Sequence, residues 1–353
     1  GTAPAITYVV KVVSDSGNKY RFDDFGTSAV TLDLQEGGTY TFDQSDSSNS
    51  GHPLRFYTAS DKTGGEYTTG VTTTGTPGSS GAQTVITVAA SAPTLYYQCS
   101  NHAGMGGQAN TNSLFGSSNF SGSIQSTVSA GTTQGFSIVK VAKSNTNVAT
   151  IGHGLGVIPK FIIGKDLDGA DNWTCYSEFI GNAKGIYLNA TNAEVSASTF
   201  WNSTSPTSSV FTIGSDNTWN SPSILYYCFA DVKGYSKFGK YVGNGNANGT
   251  FVYTGFKPAW IMSKSYSNTE SWIIKDATRD PVNPADTNLA ANSANSESTW
   301  GTEYDIDILS NGFKMRDTAG QTNGNGYDFI YLAFAENPFV GNDSGTAVPA
   351  TAR

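Results

Sequence analysis

Short apolar segments follow one another along the chain, and polar turn-forming residues separate them. Residues 6–13, 39–42, 54–57 and 83–88 are rich in Val, Ile, Thr, Tyr and Phe, and clusters of Gly, Ser, Asn and Asp lie between them. This alternation is typical of successive β-strands. No stretch of ten or more residues repeats its apolar positions every 3.6 residues, so any helices should be short. The pattern predicts an all-β protein.

An internal duplication organises the second part of the chain. The apolar segment 156–165 recurs at 255–264, and the same offset of 99 residues aligns Trp173 with Trp272. Duplicated segments of this length indicate two copies of one structural unit. We therefore expect both copies to share a fold, with the two tryptophans in equivalent places.

The copies also share their closing strands. The aromatic-rich segment 224–231 recurs at 329–336, at a slightly larger offset that a modest insertion in the second copy explains. Apolar and polar residues alternate too little in either segment to form one solvated face. Both segments should therefore be central strands that are buried on both faces. A β-sandwich for each copy is the simplest architecture.

Composition marks the predicted boundaries between domains. Residues 110–134 are mostly Ser, Thr, Gly and Asn, which is too polar to bury much and is typical of a linker. The predicted divisions are a first domain at 1–109, the linker at 110–134, two repeat domains at 135–236 and 237–341, and a small polar tail at 342–353.

Charge and hydropathy narrow the classes of partner. The 353 residues include 20 basic and 28 acidic side chains, so the net charge is −8 and nucleic acid is an unfavourable partner. No segment approaches the roughly 18 consecutive apolar residues needed to cross a bilayer, and we expect no membrane insertion. With 14% charged residues, the polar surface must be built largely from Ser, Thr, Asn and Gly, which suits an extracellular or virion β-protein.

One group of residues has the composition of a metal site. His52 opens a predicted strand, and Cys99, His102 and Met105 lie together in a second segment that ends in a Gly-containing loop. Two imidazoles, a thiolate and a weak axial thioether are the ligands of a type 1 copper ion, because soft sulfur and borderline nitrogen suit both of its oxidation states. Copper is therefore the candidate cofactor, and the absence of any cofactor is the alternative.

These residues resemble the cupredoxin family, whose blue-copper members have a distant first histidine followed by Cys-x2-His and a later Met. The resemblance covers residues 5–109 and implies a Greek-key sandwich in which His52 and His102 are imidazole ligands, Cys99 is the thiolate and Met105 is the axial thioether. Ser and Gly precede His52, where the family commonly has an Asn. A retained fold with a vestigial site is the alternative.

Other candidates have weaker signals. His153 lacks a counterpart in the second copy, and Cys175 and Cys228 align with apolar residues, which favours buried thiols over a disulfide. Acidic loops that follow the opening strand of each copy could line calcium or sugar sites, although such loops are more often only solvated. Their charged residues are Asp166, Asp168, Asp171, Asp276, Arg279 and Asp280.

The two copies resemble a repeat found in structural proteins of marine tailed phages. The resemblance rests on Gly-Phe-x-Pro-x-Trp-Ile at 255–261, the later Trp272, the Asp-x2-Arg turn at 276–279 and the closing segment 331–339. Similar cupredoxin-like modules also occur in such virion proteins. The resemblance implies a tail, fibre or capsid-decorating protein, located in the virion or outside the cell.

Two functions follow as hypotheses. The first is a non-enzymatic virion protein that assembles with itself, with other virion proteins or with a host-surface glycan; a trimer is the common state of such fibres. Trp201, Trp219 and Trp300 are its candidate exposed anchors. The alternative is a copper-carrying or electron-transfer protein that the C-terminal copies anchor. No spacing typical of a catalytic triad, a phosphate-binding loop or a zinc site is found, so we predict no enzyme activity.

Overall fold

The structure, a computed structural model, describes residues 3–113, 116–298 and 303–338, apart from the side chains of residues 112 and 113. The described residues form 27 strands and two single-turn helices, which confirms the predicted all-β sandwich architecture. No helix among them is both long and apolar enough to span a bilayer. Trp300 and the predicted tail at 342–353 lie outside the described residues.

Two compact units divide the chain. The first contains the residues up to Ser129 together with Thr150–Gly154, and the second contains Ala130–Ala149 and the residues from Leu155 onward. The strands up to residue 131 are β1 (Ala5–Ser14), β2 (Asn18–Phe22), β3 (Leu32–Gln35), β4 (Thr39–Asp43), β5 (Leu54–Tyr57), β6 (Val71–Thr74), β7 (Gln83–Thr87), β8 (Leu95–Cys99), β9 (Gln108–Ser113), β10 (Ser117–Asn119) and β11 (Ser126–Gly131). A 3-10 turn spans Ser47–Asn49.

The first unit is a two-sheet sandwich. One sheet has the strand order β2-β1-β4-β7-β6 and the other has the order β3-β9-β8-β5. The pairs β1–β4 and β3–β9 are parallel, and the other pairs are antiparallel. Alternate residues point inward, and aromatic rings from both sheets meet in the core, such as Phe22 with Tyr97 and Phe42 with Phe56, at centroid distances of 5.1 and 5.5 Å.

Most of the described residues in the segment predicted as a linker lie in strands. Residues 110–134 include most of β9, all of β10 and all of β11. Ser117 and Ser118 are buried, and the Tyr8 hydroxyl donates to the Ser118 carbonyl oxygen at 2.8 Å. The low apolar content misled the prediction, because these serines are held by hydrogen bonds that replace hydrophobic packing.

The remaining elements lie between residues 136 and 335. The strands are β12 (Phe136–Lys143), β13 (Ala149–Gly152), β14 (Phe161–Asp166), β15 (Thr174–Ser177), β16 (Lys184–Tyr187), β17 (Val195–Ser196), β18 (Val210–Ile213), β19 (Ser221–Phe229), β20 (Ser236–Val242), β21 (Phe251–Tyr253), β22 (Pro258–Ser265), β23 (Ile273–Asp276), β24 (Leu289–Ala290), β25 (Ile306–Leu309), β26 (Gly312–Met315) and β27 (Asp328–Ala335). The helices are α1 (Ser198–Trp201) and α2 (Gly320–Asn323), and a second 3-10 turn spans Asn217–Trp219.

Equivalent strands of the two copies have equivalent neighbours. The first copy contains the strand order β12-β19-β14-β15-β16, and the second contains the order β20-β27-β22-β23-β24. Trp173 directly precedes β15, and Trp272 directly precedes β23. The duplication detected in the sequence is therefore a duplication of topology.

The copies share a hydrophobic core within the second unit. Phe161 and Ile186 of the first copy lie in one buried cluster with Met262, Trp272 and Leu332 of the second. A further core lies on the other face of β27, because Phe329, Tyr331 and Ala333 alternate with Ile330 and Leu332. The closing strand of the second copy is thus buried on both faces, as its sequence predicts.

Candidate metal centre

The first unit brings together three of the four predicted ligand side chains. The Cys99 Sγ atom lies 3.8 Å from His52 Nδ1 and 3.5 Å from His102 Nδ1. One ligand atom from each residue falls within 4.8 Å of the other two. Among the residues that the structure describes, this is the one group of three or more His, Cys, Asp or Glu side chains close enough to share a metal ion.

The spacing of the donor atoms fits a single ion. A metal–sulfur bond of about 2.3 Å and a metal–nitrogen bond of about 2.0 Å, meeting at about 110–120°, place the two atoms about 3.5 to 3.7 Å apart. The measured distances from Cys99 Sγ to the two imidazole nitrogens bracket this range. Only small movements are therefore needed for all three side chains to bind one ion.

Strand pairing positions two of the candidate ligands, Cys99 and His52. Cys99 is the last residue of β8 and pairs with Leu54 of the neighbouring strand β5, so His52 lies two residues beyond the paired position. The buried Gln44 side chain holds the backbone between His52 and Leu54 in place. Its Nε2 donates to the His52 carbonyl oxygen at 2.8 Å, and its Oε1 accepts from the Leu54 N–H at 3.0 Å. The Tyr20 hydroxyl donates to the same carbonyl at 2.9 Å.

A tight loop carries His102 and Met105. The Oε1 atom of Gln98 accepts from the backbone N–H groups of Met105 and Gly106, each at 3.1 Å, and this folds the loop back onto β8. Gly104 has a φ of 70°, and a Cβ atom at Gly106 would lie 1.6 Å from the Tyr97 carbonyl oxygen. Glycine is therefore required at both positions if the loop is to keep this path.

Met105 lies in the same core as the cysteine. Its side chain is 1% exposed, and both residues belong to the hydrophobic cluster of the first unit. Its backbone is held on both sides, because its carbonyl oxygen accepts from the Tyr20 N–H at 2.8 Å and its own N–H donates to Gln98. The fourth predicted ligand is thus a buried thioether on a fixed backbone.

Burial sets the electrostatics of the centre. Cys99 is fully buried, His52 is half-buried and His102 is exposed. Desolvation and, secondarily, the neighbouring His102 lower the pKa of His52 below its usual range. The His52 imidazole is therefore neutral near pH 7, which is the form that binds a metal.

Sequence reasoning missed the residues that support the ligands. The supporting roles of Gln44, Gln98 and Tyr20 were not predicted. Gln98 carried a signal, because it is a polar residue in an otherwise apolar strand. Asn49 was also missed. It is fully buried, its side chain donates to the Val10 carbonyl oxygen at 2.7 Å, and its own carbonyl accepts from the His52 N–H at 2.8 Å.

The other predicted candidates fall outside any such group. The carboxylate of Asp166 accepts from the Asp168 N–H, and that of Asp276 pairs with Arg279, so these acidic residues stabilise their own turns. His153 is buried. Cys175 and Cys228 are buried free thiols, as predicted.

Two of the predicted surface anchors are core residues. Trp201 is 1% exposed and Trp219 is fully buried, with its indole N–H donating to the Phe200 carbonyl oxygen at 3.0 Å. The anchor prediction is therefore wrong for both, because aromatic residues in polar segments can still close a core.

Fold and site define an all-β protein with a two-sheet sandwich, a thiolate–imidazole group and a duplicated β unit. A family model described as a domain of unknown function (DUF7483) matches residues 108–338, well over half of the chain, and the chain belongs to this family. The candidate ligands His52, Cys99, His102 and Met105 precede the matched region. No curated protein and no solved structure matches the chain.

Proposed function

We propose that the first unit binds one copper ion through His52, Cys99, His102 and Met105. The observation that supports this is the convergence of the Cys99 sulfur with the Nδ1 atoms of both histidines at 3.5 and 3.8 Å. A thiolate with two imidazoles and a thioether is a soft donor set that suits copper in both oxidation states. Zinc would accept the first three ligands but has little affinity for a thioether.

The residues around the centre would hold the ligands before the metal arrives. Gln44 and Gln98 fix the two backbone segments, so little rearrangement accompanies binding. Copper bound in this way would supply one-electron chemistry. We therefore propose a copper-carrying or electron-transfer role for this unit, with no catalytic role.

Copper titration tests the proposal. The parent protein should bind one copper per chain, develop the strong visible absorption of a thiolate–copper bond and melt at a higher temperature in the presence of copper. Cys99→Ser should lose the colour and the stabilisation while remaining folded, and Met105→Leu should keep the metal but change the spectrum. A parent protein that stays colourless, with no stoichiometric metal by elemental analysis, would refute the proposal.

A structural role in a virion is the second candidate, and exposed apolar residues in the second copy favour it. β21 is an end strand of the three-stranded sheet β21-β26-β25, and its Phe251 and Tyr253 side chains are 45% and 66% exposed. Aromatic residues on an unpaired strand edge suit assembly with further copies of the chain or with other virion proteins.

Sedimentation experiments test this second candidate. The Phe251→Ser, Tyr253→Ser double variant should dissociate the assembly, and a parent chain that is monomeric at all concentrations would exclude self-assembly.

A further inference from the structure

A cavity opens where the connection between the two copies passes the turn that follows β21. Its volume is about 520 Å³, and it is lined by residues of the segment 231–237 on one side and by residues 253–256 on the other. Cavities of about 300 to 1,000 Å³ with a partly apolar lining and a few fixed polar groups are the usual form of small-molecule sites. The copper centre lies in the first unit, so this cavity is a separate candidate site.

Aromatic side chains form the apolar part of the cavity. Phe256 is buried, whereas the Tyr253 side chain is 66% exposed. The Tyr253 ring lies beside the Gly255 turn, because a Cβ atom at Gly255 would be 3.6 Å from the tyrosine hydroxyl oxygen and 3.8 Å from ring carbon Cε1. The face of an aromatic ring is negative and attracts the weakly positive C–H groups of a pyranose ring. An exposed tyrosine beside a cavity therefore suits a sugar.

An ion pair supplies fixed polar groups. Asp231 Oδ2 accepts from Lys237 Nζ at 2.5 Å, and Asp231 Oδ1 accepts from the Phe238 N–H at 2.8 Å. Both charged side chains remain partly exposed, at 27% for Asp231 and 41% for Lys237. A carboxylate and an ammonium group held side by side can accept from one hydroxyl and donate to its neighbour, and adjacent hydroxyls of this kind are typical of sugars.

The charges that line the cavity sum to +1. Asp231 contributes one negative charge, and Lys233 and Lys237 contribute one positive charge each. Lys257, beyond the cavity lining, is compensated by Glu336 at 3.1 Å. Lys233 is exposed and forms no ion pair within the part of the chain that the structure describes. A ligand with one negative charge is therefore favoured over a neutral one, and a cationic ligand is disfavoured.

The first copy lacks the corresponding aromatic wall. The offset of 99 residues aligns Tyr253 with Gly154 and Phe256 with Val157. Val157 is 49% exposed, whereas Phe256 is buried. The architecture that the copies share therefore does not explain either aromatic side chain, and both belong to the second copy alone.

We propose that this cavity binds a sugar that carries a carboxylate group, such as a hexuronic acid. Tyr253 stacks on the sugar ring, the Asp231–Lys237 pair binds two adjacent hydroxyls, and Lys233 pairs with the carboxylate. Binding is non-covalent and leaves the sugar unchanged. The site goes beyond both proposed functions, because it needs neither copper nor contact between chains.

Three probes separate the sugar ring from the charge. Glucuronate has both a sugar ring and a carboxylate, glucose has only the ring, and acetate has only the carboxylate. Isothermal titration of the full chain should show the tightest binding for glucuronate, about fivefold weaker binding for glucose and no detectable binding for acetate. Added salt should weaken glucuronate binding toward that of glucose.

Matched variants assign the contacts. Tyr253→Ala should weaken the binding of both sugars about tenfold, whereas Tyr253→Phe keeps the ring face and should keep the parent affinity. Lys233→Gln should weaken glucuronate binding to the level of glucose and leave glucose binding unchanged. Lys240→Gln removes an exposed lysine of β20 outside the cavity and is the control for net charge. Lys233 lies away from β21, so its variant tests the site even where Tyr253→Ala changes the assembly of the chain.

Two results would overturn the inference. One is a parent chain that binds no glucuronate, or binds it no more tightly than glucose. The other is a glucuronate affinity that is the same in Tyr253→Ala and Lys233→Gln as in the parent, because the sugar would then bind elsewhere. Neither result bears on copper uptake or on self-assembly, which colour and sedimentation measure separately.

Discussion

The two copies of the repeat share side-chain contacts with the backbone at equivalent residues but bury equivalent side chains to different depths. Trp272 is fully buried, and its indole N–H donates to the Tyr187 carbonyl oxygen of the first copy at 2.8 Å, whereas Trp173 is only partly buried. Lys264 is fully buried, and Lys165 is partly buried. Yet each lysine donates to the carbonyl of the next residue and to one four residues on.

This difference shows which features a duplication retains. Contacts between a side chain and its own turn depend on local sequence, so they are preserved in both copies. Burial depends on what packs against the copy, and the shared core surrounds Trp272 more completely than Trp173. Equivalent residues should therefore differ in energetic importance even where their local geometry agrees.

Truncation of the tryptophans gives the largest expected effect. Trp272→Ala removes a fully buried indole and leaves a cavity, so it should lower the free energy of unfolding by about 3 to 5 kcal/mol. Trp173→Ala should cost less than about 2 kcal/mol, because its side chain already contacts water. Urea unfolding of the two variants measures both values, and equal losses would contradict the unequal burial.

The sequence predicted the parts of the fold that depend on local pattern. Alternating apolar residues predicted the strands, and the repeated segment with Trp173 and Trp272 predicted the equivalent topology of the copies. The shared core was not predictable, because the residues at 156–165 and 255–264 do not reveal whether the copies pack on themselves or on each other. Long-range packing, which the local sequence pattern does not determine, produced the shared core.

The candidate site shows the same limit. Cys99 and His102 could be grouped from their spacing, and His52 from its residue type and the resemblance to cupredoxins, because a metal restricts the types of its ligands. Gln44 and Asn49 could not be assigned to the site from the sequence, because buried side chains that bind backbone carbonyls have no fixed spacing from the residues they support. Trp201 and Trp219 were misplaced because hydropathy of the surrounding segment is a poor guide to single aromatic residues.

The buried Lys264 of the second copy should make the stability of the protein depend on pH. Desolvation lowers the pKa of Lys264 to about 8, against about 10.4 in an unfolded chain. The unfolded state therefore binds more protons between these values, and this lysine's contribution to stability rises with pH through that window. Between pH 7 and 9.5 the parent should gain about 2 kcal/mol relative to Lys264→Met.

The comparison with a variant is necessary because other groups titrate in the opposite sense. Burial raises the pKa of Cys228 to about 12 and also raises that of Cys175, so both thiols lose stabilising effect as pH rises above about 8.5. Both are present in parent and variant, and their effects cancel. Lys165→Met is the matched control, because it removes the equivalent lysine at a position that is only partly buried. A difference between parent and Lys264→Met that is constant with pH would refute the role of Lys264.

The smallest expected effect is the loss of a hydrogen bond that both copies form between an asparagine side chain and the backbone of the equivalent tryptophan. The Trp173 backbone N–H donates to Asn189 Oδ1 at 2.9 Å, and the Trp272 backbone N–H donates to Asn292 Oδ1 at 2.7 Å. Each Asn→Ala change removes one such bond and should cost about 1 kcal/mol, to a similar extent in both copies. Asn→Asp keeps the acceptor oxygen and should recover most of the loss. Urea unfolding can resolve a difference of this size, and costs that differ as strongly as those of the two tryptophans would show that burial governs these local bonds as well.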